Sequence, residues 1–327
     1  MIPRRPFITT SLSAALAMVL LAVSPAQAQE WPQKPVRLIV PFGAGGSGDL
    51  LARLVAEHLG SVFKQNFVVE NRTGAGGTLG VQAVAQAEPD GYTLGITNLS
   101  TLSLAPLINA SVPYDPMKSL THIAYVGGAP VMLAANPKTG VKTLPEFIAF
   151  AKDKGFSFAS SGVGSDGHLM GQAIAMAMGL KVEHVPYTQT AQALGDLIAG
   201  HVPFTTFTLS STSPFFRAGQ VNGVAITTAE RLPDFANVPT FKELGYNTLI
   251  GTTWFSISGP ANMPKDIVAK LNKEIIAAVS RPAAQEIFRR DGFIAQPLSP
   301  EAFTAFVADE TARWKPVIDA AGLLAKK

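Results

Sequence analysis

Two spacings of apolar residues take turns along most of this chain. Val36 to Phe42 is a short β-branched run of the kind that forms a buried strand. Leu50 to Phe63 follows with Leu51, Leu54, Val55, Leu59 and Val62 on one helical face. Phe67 to Glu70 is the next predicted strand, Gly80 to Ala87 a short helix, and Tyr92 to Thr97 a third strand after the turn at Pro89-Asp90-Gly91. Two strands are expected around Ile123 and Val131. The alternation then starts again. Leu144 to Lys152, His168 to Met178 and Ala191 to Ala199 read as helices. Phe156 to Ser160, Val182 to Tyr187, Phe204 to Phe207, Val224 to Thr227 and Trp254 to Ser258 read as strands. The end is helical: Lys265 to Val279, Ala283 to Arg290 and Pro300 to Ala321. Such alternation predicts an α/β fold with a mostly parallel sheet, arranged as two lobes. The C-terminal helices have no sheet partner nearby in sequence, so they are expected to return to the first lobe. The expected division is residues 29–128 with 252–327 as lobe 1 and 129–251 as lobe 2, with two crossovers between them.

The first residues stand apart from this pattern. Arg4 and Arg5 precede an apolar run from Leu12 to Val23, and Ala26-Gln27-Ala28 supplies a small-x-small cleavage site. Residues 1–28 therefore read as a secretory signal peptide, too short to span a membrane. Arg4-Arg5 also fits a twin-arginine signal. The mature chain, starting near Gln29, has about 300 residues, enough for two domains with cores. Taking Arg4 and Arg5 from the 26 basic residues leaves 24 against 23 acidic ones. That balance offers no basic stripe for nucleic acid. The chain has no cysteine, which excludes disulfides, thiolate metal sites, thiol nucleophiles and a lipoprotein anchor. Export without an anchor predicts a periplasmic protein.

Candidate chemistry sits in two glycine loops. Strand 36–42 runs into Gly43-Ala44-Gly45-Gly46-Ser47-Gly48, and a helix starts at once. Strand 156–160 runs into Ser161-Gly162-Val163-Gly164-Ser165-Asp166-Gly167, again before a helix. Both match GxGxxG. With Glu70 about 20 residues on, the first also matches a dinucleotide-binding fingerprint, which would make the protein a nicotinamide-dependent oxidoreductase. The shared physics is more general. First-turn N–H groups lack internal partners, and the helix dipole adds about half a positive charge there. Together they bind an anion without lysine or arginine. A dinucleotide needs one such loop, whereas a diacid held between two lobes uses both. A third cluster, Gly74-Ala75-Gly76-Gly77, either faces the same cleft or only turns the chain.

These segments resemble the tripartite tricarboxylate transporter receptors, the Bug family of periplasmic solute-binding proteins. The resemblance spans the mature chain. It includes Trp31-Pro32, Lys34-Pro35-Val36, Val40-Pro41-Phe42, Gly45-Gly46-Ser47, Val69-Glu70-Asn71-Arg72, Pro89-Asp90-Gly91-Tyr92, Pro113-Tyr114-Asp115-Pro116, His184-Val185-Pro186-Tyr187 and Val238-Pro239-Thr240, in the family's order. It implies a two-lobed periplasmic-binding-protein fold of type II, closing on a small carboxylate and delivering it to a membrane permease. It implies that the two loops grip carboxylates by backbone N–H, and that Glu70 serves a structural motif. Members that bind amino acids carry an Asp at the position of Phe207, so its absence here turns the expectation away from amino acids. Phe42 and Phe207 suit an aromatic dicarboxylate such as terephthalate instead, unless both rings simply pack the core. The expected ligand-binding set is Phe42, Gly43, Ala44, Gly45, Gly46, Ser47, Asn98, Ser160, Ser161, Gly162, Gly164, Ser165, His168, Thr206 and Phe207.

No catalytic signature accompanies these loops. His58, His122, His168, His184 and His201 form no HExxH pair, and neither Ser47 nor Ser165 completes GxSxG. The expectation is a monomeric, non-enzymatic receptor without cofactor or metal. A ligand sensor that docks on a signalling receptor would use the same cleft. His58 reads as surface, and Glu57, Glu146, Glu274, Glu286 and Glu310 as solvated helix faces. Met170, Met176 and Met178 read as core filling. Trp254 is open between hinge, cleft and core.

Overall fold

One strand belongs to both halves of the sheet. β4 (Leu120–Ala135) is 16 residues long. Its first part, from Leu120 to Pro130, pairs antiparallel with β9 (Thr252–Pro260). Its second part, from Val131 to Ala135, pairs with β7 (Phe204–Thr208). The computed structural model describes residues 30–320 and 323–325, so the predicted signal peptide lies outside the described residues. Compactness separates Met1–Gln33 from Lys34–Lys327, and the fold that follows is that of the second unit.

The first half-sheet is built from β1 (Val36–Val40), β2 (Phe67–Asn71) and β3 (Thr93–Asn98), with β1 parallel to both neighbours and β3 antiparallel to β9. The second is built from β5 (Phe156–Ser160), β6 (Val182–Pro186) and β7, with β5 parallel to both neighbours. The full order is β2-β1-β3-β9-β4-β7-β5-β6, and β8 (Asn222–Ile226) and β10 (Ile294–Leu298) also pair with β4. The chain passes between the halves along β4 and returns into β9. This is the two-lobed α/β fold with two crossovers. The sheet is mixed, not mostly parallel. Parallel neighbours need a helical crossover between them, and only β1, β2, β3 and β5, β6, β7 are linked that way. The segments around Ile123 and Val131 form one strand although Gly127, Gly128 and Pro130 lie between them, because β9 pairs across that stretch through a bulge.

Helices cover both faces. α1 (Ser47–Phe63), α2 (Thr78–Ala85) and the short α3 (Ala105–Ile108) follow the first strands. α4 (Leu144–Lys154), α5 (Asp166–Met178), α6 (Thr190–Ala199) and α7 (Leu209–Arg217) serve the second half. α8 (Lys265–Ser280), α9 (Pro282–Asp291) and α10 (Pro300–Ala320) complete the chain. α10 buries Phe303, Val307 and Ile318 beside Ile39, Val81, Tyr125 and Trp254, so it packs on the first half-sheet. Neither α7 nor β10 is visible in the sequence pattern. The run Leu209-Ser210-Ser211-Thr212-Ser213-Pro214 has no apolar stripe, yet five of its residues are buried.

Several side chains depart from their sequence reading. Trp254 is 1% exposed and belongs to the core. Its indole N–H donates to Glu310 at 3.2 Å, and Trp314 Nε1 and Arg313 donate to the same carboxylate at 3.4 and 2.8 Å. Glu310 is therefore a buried acceptor, not a solvated face. His58 is half-buried against Glu274, 3.2 Å away, so neither is a plain surface group. Met176 is exposed, while Met170 is buried. No helix among the described residues is long and apolar enough to cross a membrane.

Candidate functional site

The first glycine loop is tied down by its own neighbours. The Asn71 amide donates to the Phe42 carbonyl at 3.0 Å and to Asp49 Oδ1 at 3.0 Å. Asp49 Oδ2 also accepts from the Gly45 N–H at 3.1 Å, and Arg53 holds both oxygens of the carboxylate at 3.0 Å. Burial raises the Asp49 pKa. The hydrogen bonds from Arg53, Gly45 and Asn71 outweigh it and hold the carboxyl below its usual range. The loop thus enters α1 in one fixed shape, with Gly46 as the N-cap.

The second loop is built around serine and histidine. Ser165 is the N-cap of α5 and accepts from the His168 N–H at 3.2 Å. His168 Nδ1 accepts from the Gly164 N–H at 3.1 Å. The His168 ring stacks on His184, centroids 4.0 Å apart, and His184 Nε2 lies 2.6 Å from Ser160 Oγ. Burial, aided by the adjacent His168, pushes the His184 pKa down to about 4, and burial lowers that of His168 too. Both rings are therefore neutral near pH 7, and His168 is free to accept a backbone N–H.

The two loops come together at one hollow of about 50 Å³. Four helix N-termini reach it. α1 contributes Gly46, Ser47 and Gly48, α5 contributes Asp166 and Gly167, α6 contributes Thr190, and α7 contributes Thr208 and Ser211. No lysine or arginine lines it. The helix ends thus supply partial positive charge at its wall where no cationic side chain does. The walls add three rings, Phe42, Phe207 and Phe255, with Asn98, Val131, Ser161, Thr206 and Thr253. Phe207 is 5% exposed and packs in the second lobe's core as well, so the core and cleft readings both hold.

Contacts across the hollow are close. Ser47 Oγ lies 2.5 Å from Thr208 Oγ1 and 2.5 Å from Ser210 Oγ, and the Ser47 N–H donates to Ser211 Oγ at 3.2 Å. Ser100 Oγ donates to the Gly164 carbonyl at 2.7 Å, and Asn98 Nδ2 donates to Asp166 Oδ2 at 3.1 Å. A Cβ on Gly43 would lie 2.9 Å from the Gln189 Cα, and one on Gly167 would lie 2.1 Å from the Thr206 carbonyl. Glycine is required at both positions because backbone approaches backbone there.

Residues 51–323 match the profile described as "Tripartite tricarboxylate transporter family receptor". The chain belongs to this family. Protein BugT of Bordetella pertussis (strain Tohama I) is 32% identical over 302 residues, covering 91% of this chain and 93% of that protein. The structure of the periplasmic binding protein BugD superimposes with a TM-score of 0.87 at 31% identity, covering 90% of this chain and 100% of that one. An R. palustris protein solved with adipate gives a TM-score of 0.86 at 31% identity, covering 90% and 99%. The protein is thus a solute-binding receptor, with the two-lobed fold of its relatives.

Within the receptor the expected set divides. Phe42, Gly46, Ser47, Asn98, Ser161, Thr206 and Phe207 line the hollow. Gly43, Ala44, Gly45, Ser160, Gly162, Gly164, Ser165 and His168 do not. Gly43 and Gly45 shape the loop, Ser160, Ser165 and His168 brace the second one, and the Gly164 N–H is already committed to His168. His168 braces the loop through Nδ1. The Gly74–Gly77 loop lines an adjoining space of about 300 Å³ that shares Phe42 and Ser161 with the hollow. It also turns the chain through positive φ at Gly74, Ala75, Gly76 and Gly77, so both its readings stand. Glu70 pairs with Arg37 at 2.8 Å on the adjacent strand. Sequence reasoning missed Gly48, Val131, Asp166, Gly167, Thr190, Thr208, Ser211, Thr253 and Phe255. The second GxGxxG contained Asp166 and Gly167, but nothing local marked Ser211 or Thr253.

Proposed function

We propose that this receptor captures a small dicarboxylate in the periplasm, an aromatic diacid such as terephthalate fitting best, and delivers it to the membrane permease of a tripartite tricarboxylate transporter. The observation that carries this is the meeting of four helix N-termini at one hollow that no cationic side chain lines. Unpartnered N–H groups there suit carboxylates, and the helix dipoles favour negative charge. Residues 29–128 with 252–327 and residues 129–251 act as the two closing lobes, with residues 1–28 as the export signal. The three rings of the wall offer edge and face contacts to an aromatic ligand, each worth about 1 kcal/mol beyond burial. The diacid bound by the R. palustris relative supports the class of ligand. The receptor acts as a monomer and without turnover.

Isothermal titration with terephthalate, adipate and citrate tests the reading. Saturable 1:1 binding of a dicarboxylate, tightest for terephthalate, is the expected result. A heat trace with no binding of any of the three acids would remove the proposal.

A further inference from the structure

Asp166 is the one titratable side chain that lines the hollow. It opens α5, and with Thr253 it also lines the small adjoining space under Met170 and Trp314. Its two oxygens differ. Oδ2 accepts from Asn98 Nδ2 at 3.1 Å. Oδ1 makes no hydrogen bond of normal geometry and has essentially no accessible surface, although the residue as a whole is only half-buried, and the Thr253 hydroxyl and Ser100 N–H lie close enough to the carboxylate to act on it weakly. Thr253 Oγ1, on the facing strand β9, is likewise buried and makes no hydrogen bond of normal geometry, its influence falling on the Asp166 carboxylate. The elements packed around Asp166 present no charge to it: β3 offers Asn98, β4 Val131, β9 Thr253 and Phe255, and α10 Trp314. On its own helix, His168 is turned to the Gly164 N–H.

An ionised carboxylate at this place would repel the dicarboxylate that the hollow is proposed to take. A neutral carboxylic acid would instead carry an O–H on the oxygen that now makes no hydrogen bond of normal geometry. We propose that Asp166 is a ligand-contacting residue that donates this O–H to a carboxylate of the bound diacid, so that capture brings one proton into the closed site. The proton comes from solvent and adds to Oδ1, and no covalent bond of the ligand changes. Burial supports the protonated form, since it pushes the Asp166 pKa up to about 7 against smaller opposite effects of Thr253 and the Ser100 backbone. An anion bound beside it raises that pKa further.

The inference rests on the dicarboxylate reading, and one experiment separates the two. Terephthalate and adipate, both fully ionised above about pH 6.5, are titrated calorimetrically from pH 6.5 to 8.5 in phosphate and in Tris. The wild type is expected to take up close to one proton per ligand near pH 8, and its Kd to weaken roughly tenfold per pH unit above about 7. Asp166→Asn keeps a donor toward the hollow and an acceptor for Asn98. It should bind with no proton uptake, with a Kd that is flat in pH, and at pH 8 at least as tightly as wild type. Binding by the wild type without uptake or pH dependence overturns the role of Asp166 and leaves the dicarboxylate reading standing. So does pH dependence that persists in Asp166→Asn, or a folded Asp166→Asn that no longer binds. A wild type that binds neither acid at any pH overturns both.

Discussion

Gly43→Ala adds one methyl where the first glycine loop meets the segment that leads into α6. The new Cβ would stand 2.6 Å from Gln189 Oε1, 2.9 Å from Gln189 Cα and 3.0 Å from the Thr188 carbonyl. The amide oxygen can swing away, but the Cα and the carbonyl are backbone and move only with their lobe. Relieving those contacts needs a separation of several tenths of an ångström. Overpacking of this kind costs about 1–3 kcal/mol. On the proposed closing of two lobes these contacts belong to the shut state, so the cost is expected to fall on the ligand-bound state. At about 1.4 kcal/mol per tenfold, Kd for a dicarboxylate should weaken roughly 5- to 150-fold. The melting temperature without ligand should stay within about 1 °C of wild type if lobe opening, as proposed, separates Gly43 from Gln189. Titration calorimetry gives the first quantity and thermal unfolding the second. A Kd within twofold of wild type would refute the claim that closure brings these backbones together. Equal loss of unliganded stability would show that the contact belongs to the resting fold instead.

Three further outcomes follow from the same geometry. Phe207→Leu keeps an apolar filler but removes a ring, so terephthalate should bind about fivefold more weakly while adipate changes less than twofold, both by calorimetry. Glu310→Ala strands the buried Trp254 indole N–H and should lower unfolding free energy in urea by about 1–3 kcal/mol with ligand affinity unchanged. His122, packed 4.8 Å from the Phe303 ring, has its pKa pushed down to about 4 by burial, and His184 behaves alike. Between pH 6.5 and 4 the unfolded chain binds those protons and the folded one does not, so stability should fall as pH is lowered through that window. His122→Phe should flatten the fall in melting temperature. Asp166 works in the opposite sense, because its raised pKa keeps the proton on the folded state from about pH 7 downward. Asp166→Asn should therefore steepen the loss on the acid side and raise stability at pH 8.

Periodicity located most helices and strands because their cores are one-sided. The stripe Leu51, Val55 and Leu59 of α1 and Val36, Leu38, Ile39 and Val40 of β1 are buried almost completely, which is the physical origin of their spacing. Where burial does not follow a stripe, the pattern fails. α7 is held by hydroxyls, with Ser210, Ser211, Thr212 and Ser213 buried in a polar interior at the hollow. β10 has an exposed Ile294 and reads as loop. The union of two expected strands in β4 is set by pairing with β9 on one side and β7 on the other, a long-range fact without local signal. At the site, the glycine loops were legible because close backbone approach and helix entry demand glycine and serine there. Thr190, Ser211 and Thr253 were not, since a hydroxyl at a helix start or on a strand serves capping and packing equally well. Glu310 and His58 show the complementary limit. An acid or an imidazole on an amphipathic helix looks solvated until its partner, Trp254 or Glu274, arrives from a distant segment.

The central claim is that backbone amides at converging helix ends, and no cationic side chain, hold the ligand's charge. Backbone ¹H–¹⁵N shifts of the receptor, followed as terephthalate is added to saturation, test it most directly. The amides of Gly48, Gly167 and Ser211 should move most and move together along one binding isotherm. Saturable binding that leaves those three amides in place, with the largest shifts elsewhere on the molecule, would contradict the account.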